Sequence, residues 1–302
     1  MFAHPVFLLL CFVGGIMLRQ VKYFPPDLYR KINKFIIWLP LPCITLVHIP
    51  GLEIGLTAII PIASAWLIFA VALLFFSYFS NFLHVDKSTW ACLVLVCGLG
   101  NTSFVGYPVL KAIYGNEAIP YAILVDQPGT FLALSTVGVV FVLSVSQGRF
   151  SLFPILKRLF TFPPFLSFLV ALILPSAWFA GKWMLPVQFT GNLMVPLALL
   201  SIGMQFSAST GSIEWKYFIP GIAYKLIIAP AIIFCIVFII LGQRGMINNV
   251  TVMECAMPPM ITASVLASEY DLNPPLANAL ATWGIPLSAI TLFLWQLLLA
   301  GV

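Results

Sequence analysis

The sequence predicts an all-α membrane protein of ten transmembrane helices, arranged as two inverted repeats of five, with helices four and nine broken. Three observations carry this prediction. Hydrophobic residues make up 62% and charged residues 8% of the 302 positions, against roughly 25% charged in a soluble domain. Several apolar runs reach the roughly 20 residues that a bilayer span needs. Two of those runs are interrupted at corresponding places, by Cys97-Gly-Leu-Gly-Asn-Thr-Ser-Phe-Val-Gly-Tyr-Pro108 and by Glu254-Cys-Ala-Met-Pro-Pro259. A broken helix at bilayer depth survives only where protein or a water-filled cavity satisfies the freed backbone groups. A pair of breaks in matching halves is the best pointer in a sequence to a transporter's binding site.

The segments follow in order. Met1-Phe-Ala-His-Pro5 lacks the basic flank and small-residue cleavage site of a signal peptide, so the first span is expected to stay in the mature protein. Apolar runs bounded by polar punctuation place spans near 3–19, 34–50, 54–79, 88–113 and 117–143. The second set lies near 162–180, 186–206, 215–241, 246–269 and 274–301. The halves are thus 1–145 and 162–302, joined by a basic linker over 146–161.

Lysine and arginine set the orientation. Arg19, Lys22, Arg30, Lys31, Lys34, Lys87, Arg149, Lys157, Arg158 and Lys216 fall on one side, and only Lys111, Lys182 and Arg244 on the other. Both termini are therefore expected outside a plasma membrane (the inner membrane of a bacterium). The net charge of +5 sits in short loops and points to no nucleic-acid partner. With an odd number of spans per half, the second half enters upside down. At an offset of roughly 156 residues Pro40 matches Pro196, the break at Asn101 matches that at Met257, and Pro128-Gly129 matches Gly284-Ile-Pro286.

Chemistry concentrates at the breaks. Pro108 clashes with the carbonyl of Phe104, while Gly98, Gly100 and Gly106 tolerate unwound backbone around Asn101, Thr102 and Ser103. Pro258 and Pro259 should free the carbonyls of Glu254 and Cys255, which with the Glu254 carboxylate suggests a cation or proton site, sodium included. The helix restarting after Pro259 turns the N–H groups around Ile261 and Thr262 toward the same point, and the helix after Pro108 does so from the opposite side. Such starts favour an anion. Read alone, the first break is equally a kink whose polar residues glue helices together.

Asp126, Lys225 and Glu254 are the ionisable residues well inside spans, and a charge there costs about 2.5–3.5 kcal/mol on insertion scales. Asp126, beside Gln127, and Glu254 are candidate coupling-ion or proton sites. Lys225 pairs with one of them, neutralises a substrate carboxylate, or bonds to carbonyls. His4, His48 and His84 sit at span edges, and the six cysteines read as buried small hydrophobes rather than a disulfide or metal set. No hydrolase triad, zinc spacing or phosphate loop occurs, and no cofactor is expected.

The two breaks resemble those of the auxin efflux carrier family. The residues are Gly100-Asn-Thr-Ser-Phe-Val-Gly-Tyr-Pro108 with Tyr114-Gly115 and Asp126-Gln127, then Ala256-Met-Pro-Pro-Met-Ile-Thr-Ala-Ser264 and Ala267-Ser-Glu-Tyr270. The resemblance covers essentially the whole chain. It implies the fold shared by bile-acid sodium symporters and sodium/proton antiporters, in which spans four and nine cross at mid-membrane. Spans 1, 2, 6 and 7 would form a scaffold, and spans 3–5 and 8–10 a transport domain that moves like an elevator. Asn101, Pro108, Pro258 and Pro259 would be crossover residues, with substrate held against a scaffold face where Pro42, Thr45, Asn192 and Gln205 stand. The linker is shorter than that of long plant exporters, and Pro-Pro in the second break has no counterpart in the first. Both departures bring the chain nearer the short bacterial type, which resembles carriers of small carboxylates such as malonate or malate, with auxin-like acids as the other class.

The function expected is secondary active transport of a small organic anion, with H⁺ or Na⁺ as coupling ion and a homodimer through scaffold helices among its partners, beside membrane lipids. A membrane enzyme using Asp126 and Glu254 as a dyad, and a ligand sensor that has lost transport, are the alternatives.

Overall fold

The computed structural model describes residues 5–21, 23, 25, 27–50, 52, 55–83, 85–146, 152–205 and 214–301. His4, Lys22, His84 and Arg149 lie outside the described residues. Among those described, every regular element is helical. Helical stretches over Leu56–Phe82, Asn116–Ser146, Met184–Gln205, Trp215–Ile240 and Pro274–Ala300 are long and apolar enough to cross a bilayer.

The first half contains α1 (Pro5–Gln20), α2 (Leu28–Trp38), α3 (Pro40–His48), α4 (Ile59–Leu83), α5 (Lys87–Cys97), α6 (Tyr107–Tyr114), α7 (Ile119–Leu124) and α8 (Val139–Ser146). Between α5 and α6 the chain unwinds, then re-enters through a wide π turn at Thr102–Gly106. Two more π turns, Val125–Phe131 and Leu134–Gly138, join α7 to α8. The linker contains an amphipathic helix, α9 (Phe153–Thr161). It bends by 68° into α10 (Pro163–Ile173). Pro163 and Pro164 set that elbow, since neither can donate to the preceding turn. The rest is α11 (Met184–Asn192), α12 (Met194–Gln205), α13 (Trp215–Ala223), α14 (Ala229–Phe234), α15 (Met246–Cys255), α16 (Ile261–Glu269) and α17 (Pro274–Ala300). Gly284-Ile-Pro286 lies inside α17, which stays one helix.

Helices α1, α2, α3, α10, α11 and α12 pack chiefly on one another. The α1–α12 crossing is tight because two glycines meet: a Cβ on Gly15 would stand 2.1 Å from the Leu200 carbonyl, and one on Gly203 2.1 Å from that of Phe12. Helices α4, α5, α13 and α15–α17 form a second group around the breaks. Asp86 caps α5, its carboxylate accepting from the Thr89 amide at 2.9 Å. Desolvation is the largest single influence on Asp86 and raises its pKa, but the hydrogen bonds from Thr89 and neighbouring amides together outweigh it and hold the carboxyl below its ordinary value.

Candidate functional site

The two breaks meet. Asn101 N–H donates to the Pro258 carbonyl at 2.8 Å and Met260 N–H to the Leu99 carbonyl at 3.2 Å. Gly100 and Pro259 thereby form an antiparallel bridge. Backbone groups that neither helix can satisfy are satisfied by the other, as an apolar interior demands. Glycine permits the close approach: a Cβ on Gly284 of α17 would stand 2.5 Å from the Pro259 ring.

Two expectations are corrected. The first half-helix restarts at Thr102, with Asn101 at its cap, rather than after Pro108. The Asn101 carbonyl already accepts from Val105 at 3.3 Å and Gly106 at 3.2 Å. Pro108 is buried in the first turn of α6, where a missing N–H is tolerated. Nor do the carbonyls of Glu254 and Cys255 stay free. The first accepts from Met257 N–H at 3.2 Å, and the second takes the Lys225 ammonium at 2.6 Å. Lys225, fully buried on the π turn Tyr224–Ile228, is therefore a carbonyl ligand.

The buried carboxylates have opposite surroundings. Asp126 accepts from Thr102 and Ser103 hydroxyls at 2.5 Å each, from Tyr107 at 2.9 Å and from the Gln127 amide at 2.6 Å. Four donors fill the lone pairs a carboxylate offers, so Asp126 latches the π turn of the first break to span five. Glu254 is as deeply buried, yet neither of its oxygens has a hydrogen-bond partner. Gly106 makes room for it, since a Cβ there would fall 2.4 Å from Oε2 and 2.6 Å from Oε1. Glu254, Lys225, Gly100 and Thr102 line a void of about 10 Å³, on the order of one water molecule. Among the described residues no three His, Cys, Asp or Glu side chains group as metal ligands.

On the other side of the break lies a cavity of about 200 Å³. Asn101, Thr102, Ser103 and Asp126 line it from the first half, Met260 and Thr262 from the second, Ile37 and Leu41 from α2 and α3. Arg158 and Thr161 of the linker and Phe162 just after it also line it. Asn101 Nδ2, Ser135 Oγ and Arg158 Nη1 are buried here without partners. Sequence reasoning missed Ser135 and counted Arg158 only as a loop charge. The amphipathic spacing of 153–161 was the available signal, but where its arginine goes depends on the 68° elbow.

A larger cavity of about 620 Å³ shares Ile37 with this one and carries Arg19, Arg30 and Lys34 on its wall. Gln205 lies here. Elsewhere, Lys111 of α6 donates to Asn192 of α11 at 2.9 Å, beside a cavity of about 170 Å³ near His48. Thr45 bonds to its own helix through the Leu41 carbonyl and lines neither larger space.

A helical membrane protein in which two broken helices pair beside a small, partly polar cavity has the construction of a transporter. The chain belongs to the membrane transport protein family, whose profile matches residues 2–296; this is the auxin efflux carrier family that its motifs resemble. It is 32% identical over 220 residues to an uncharacterized transporter of Methanothermobacter thermautotrophicus, covering 70% of this chain and 68% of that one. It is 29% identical over 213 residues to an uncharacterized transporter of Methanocaldococcus jannaschii, covering 68% of each.

Proposed function

We propose that this chain is a secondary active transporter of a small organic anion, a carboxylate such as malonate, malate or an auxin-like acid. The observation that carries the reading is the bridged pair of breaks beside a cavity lined by Asn101, whose amide nitrogen is buried without a hydrogen-bond partner. Thr102 and Ser103 position the break, and the start of α16 at Thr262 offers N–H groups to the anion. Gly106, Pro108, Pro258 and Pro259 shape the backbone around it.

Coupling falls to Glu254. A carboxylate buried without a partner binds a proton, or a cation such as sodium, in order to stay buried. Asp126 and Gln127 hold the frame, and Lys225 supplies a fixed positive charge at the carbonyl that Pro259 releases.

The architecture proposed is ten spans as inverted repeats, 1–145 and 162–302. The hydrogen bond from Tyr224 to the Ile68 carbonyl supports it, joining positions 156 apart as contact across a local two-fold axis requires. Spans 1, 2, 6 and 7 act as scaffold and the remainder as an elevator-type transport domain, in keeping with the two packing groups. The basic large cavity and the Lys111–Asn192 contact correspond to a state open to the cytoplasm, with both termini outside the plasma membrane.

Uptake of labelled malonate, malate and indole-3-acetate into proteoliposomes, with imposed proton or sodium gradients, tests this. Asn101→Ala should reduce flux at least about tenfold, the loss of one well-placed polar contact, and Pro258→Ala should reduce it by letting the broken backbone rewind toward helix. Glu254→Gln should abolish dependence on the driving gradient. Normal flux in both crossover variants would move the site elsewhere, and binding without flux in wild type would make the chain a sensor.

A further inference from the structure

Three residues that line the 200 Å³ cavity each carry a buried polar atom without a hydrogen-bond partner, and they come from three separate parts of the chain. Asn101 Nδ2 lies at the unwound break, Ser135 Oγ on the π turn after span five, and Arg158 Nη1 on the linker helix α9. Asn101 is 4% and Ser135 0% exposed. All three can donate, and buried donors lacking acceptors destabilise a fold unless something supplies one. Three unpartnered groups able to donate, one of them a guanidinium, on residues around one small space favour an anion as its occupant.

We propose that Arg158 of the linker helix is the counter-charge of the transported anion, and that the cavity selects a singly charged carboxylate with a compact apolar body. The inference rests on the carboxylate-transporter reading and adds to it a residue and a substrate class. Asp126, the acid on this wall, is occupied by four donors from the protein and repels a second negative charge. Glu269 and Tyr270 act on the guanidinium electrostatically, yet Nη1 bonds to neither. Much of the remaining wall is apolar, with Leu41, Phe131, Leu134 and Phe162 among it. A second carboxylate would be buried there unpaired, which is strongly unfavourable. The volume lies below the roughly 300–1,000 Å³ of pockets for drug-sized ligands, so the body must be small.

The linker's place in the site follows from its geometry. Ile155 is buried and anchors α9. The 68° elbow at Phe162 then turns the last helical turn, with Arg158 and Thr161, into the cavity. Arg19, Arg30 and Lys34 on the adjoining larger cavity draw anions toward it.

The test is titration calorimetry on the purified full chain with isobutyrate, isovalerate and phenylacetate, each beside its uncharged amide, and with malonate and malate. In wild type at least one monocarboxylate should bind more tightly than its amide and than either dicarboxylate. Arg158→Gln should weaken that carboxylate roughly 10- to 100-fold, the range of a lost charge-assisted hydrogen bond, while leaving the amide unchanged. Arg158→Lys should recover part of the loss, and Ser135→Ala should weaken acid and amide alike by a smaller factor. A melting transition like wild type's shows that each variant folds. Should Arg158→Gln misfold, the Lys and Ser135 variants decide: equal carboxylate affinity in both overturns the assignment. Wild-type affinity retained in a folded Arg158→Gln overturns the role of Arg158 and leaves the transporter reading standing. Tighter binding of malonate or malate overturns the single-charge selection. Binding of no carboxylate by folded wild type removes the carboxylate reading itself, and this inference with it.

Discussion

Replacing Gly106 with alanine tests the role of Glu254 by displacing its carboxylate without changing its chemistry. The added Cβ would lie 2.4 Å from Oε2 and 2.6 Å from Oε1. Against an ordinary carbon–oxygen contact of about 3.3 Å, that is an overlap of roughly 0.7–0.9 Å. The side chain can swing aside, at about 0.5–1.5 kcal/mol for leaving its rotamer. Otherwise the backbone opens, at roughly 1–3 kcal/mol for an overpacked interior. The obstacle is the tip of a flexible side chain, so the cheaper route prevails. Melting should fall by only a few degrees, on the scale of about 2–4 °C per kcal/mol for large domains. Flux driven by a pH gradient in proteoliposomes should nonetheless lose its dependence on that gradient, because the displaced carboxylate no longer sits in its void. A Gly106→Ala protein with wild-type rate and wild-type gradient dependence would refute the assignment of coupling to Glu254.

Gly284→Ala presses a methyl against the rigid Pro259 ring, 2.5 Å away, and should cost roughly 1–3 kcal/mol, read as a lower melting temperature than Gly106→Ala shows. Asp126→Asn replaces one acceptor oxygen with an NH₂ donor that faces other donors; a loss of about 1.5–3 kcal/mol is expected, whereas Glu254→Gln should melt like wild type. Comparable melting of Asp126→Asn and wild type would count against the latch. Asp86→Ala removes the α5 cap and should cost about 1 kcal/mol near neutral pH. Because the Asp86 pKa is depressed, that contribution exists above the unfolded carboxyl pKa and is lost as pH falls through the folded one. The gap in melting temperature between wild type and variant should close below about pH 4.

Both interruptions were legible because glycine, proline and polar residues stand out against an apolar run, and their pairing follows once each helix must stop there. The point of re-entry was not: Pro108 signals a break, yet proline is equally at home in a first turn, and the π turn at Thr102–Gly106 shifts the restart six residues upstream. Asp126 and Glu254 look alike in a sequence. What separates them is which side chains reach them across the packing, four for one and none for the other. Arg158 was hidden for a related reason, since a charge in a short basic stretch reads as topology until an elbow turns it inward.

The Phe162 ring at that elbow lies flat on Phe131, with centroids 4.0 Å apart and planes within 15°. Such a stacked pair contributes about 0.5–1.5 kcal/mol beyond the area it buries. The elbow that aims Arg158 is therefore pinned to the π turn that carries Asp126, which ties the linker helix to the frame of the first break.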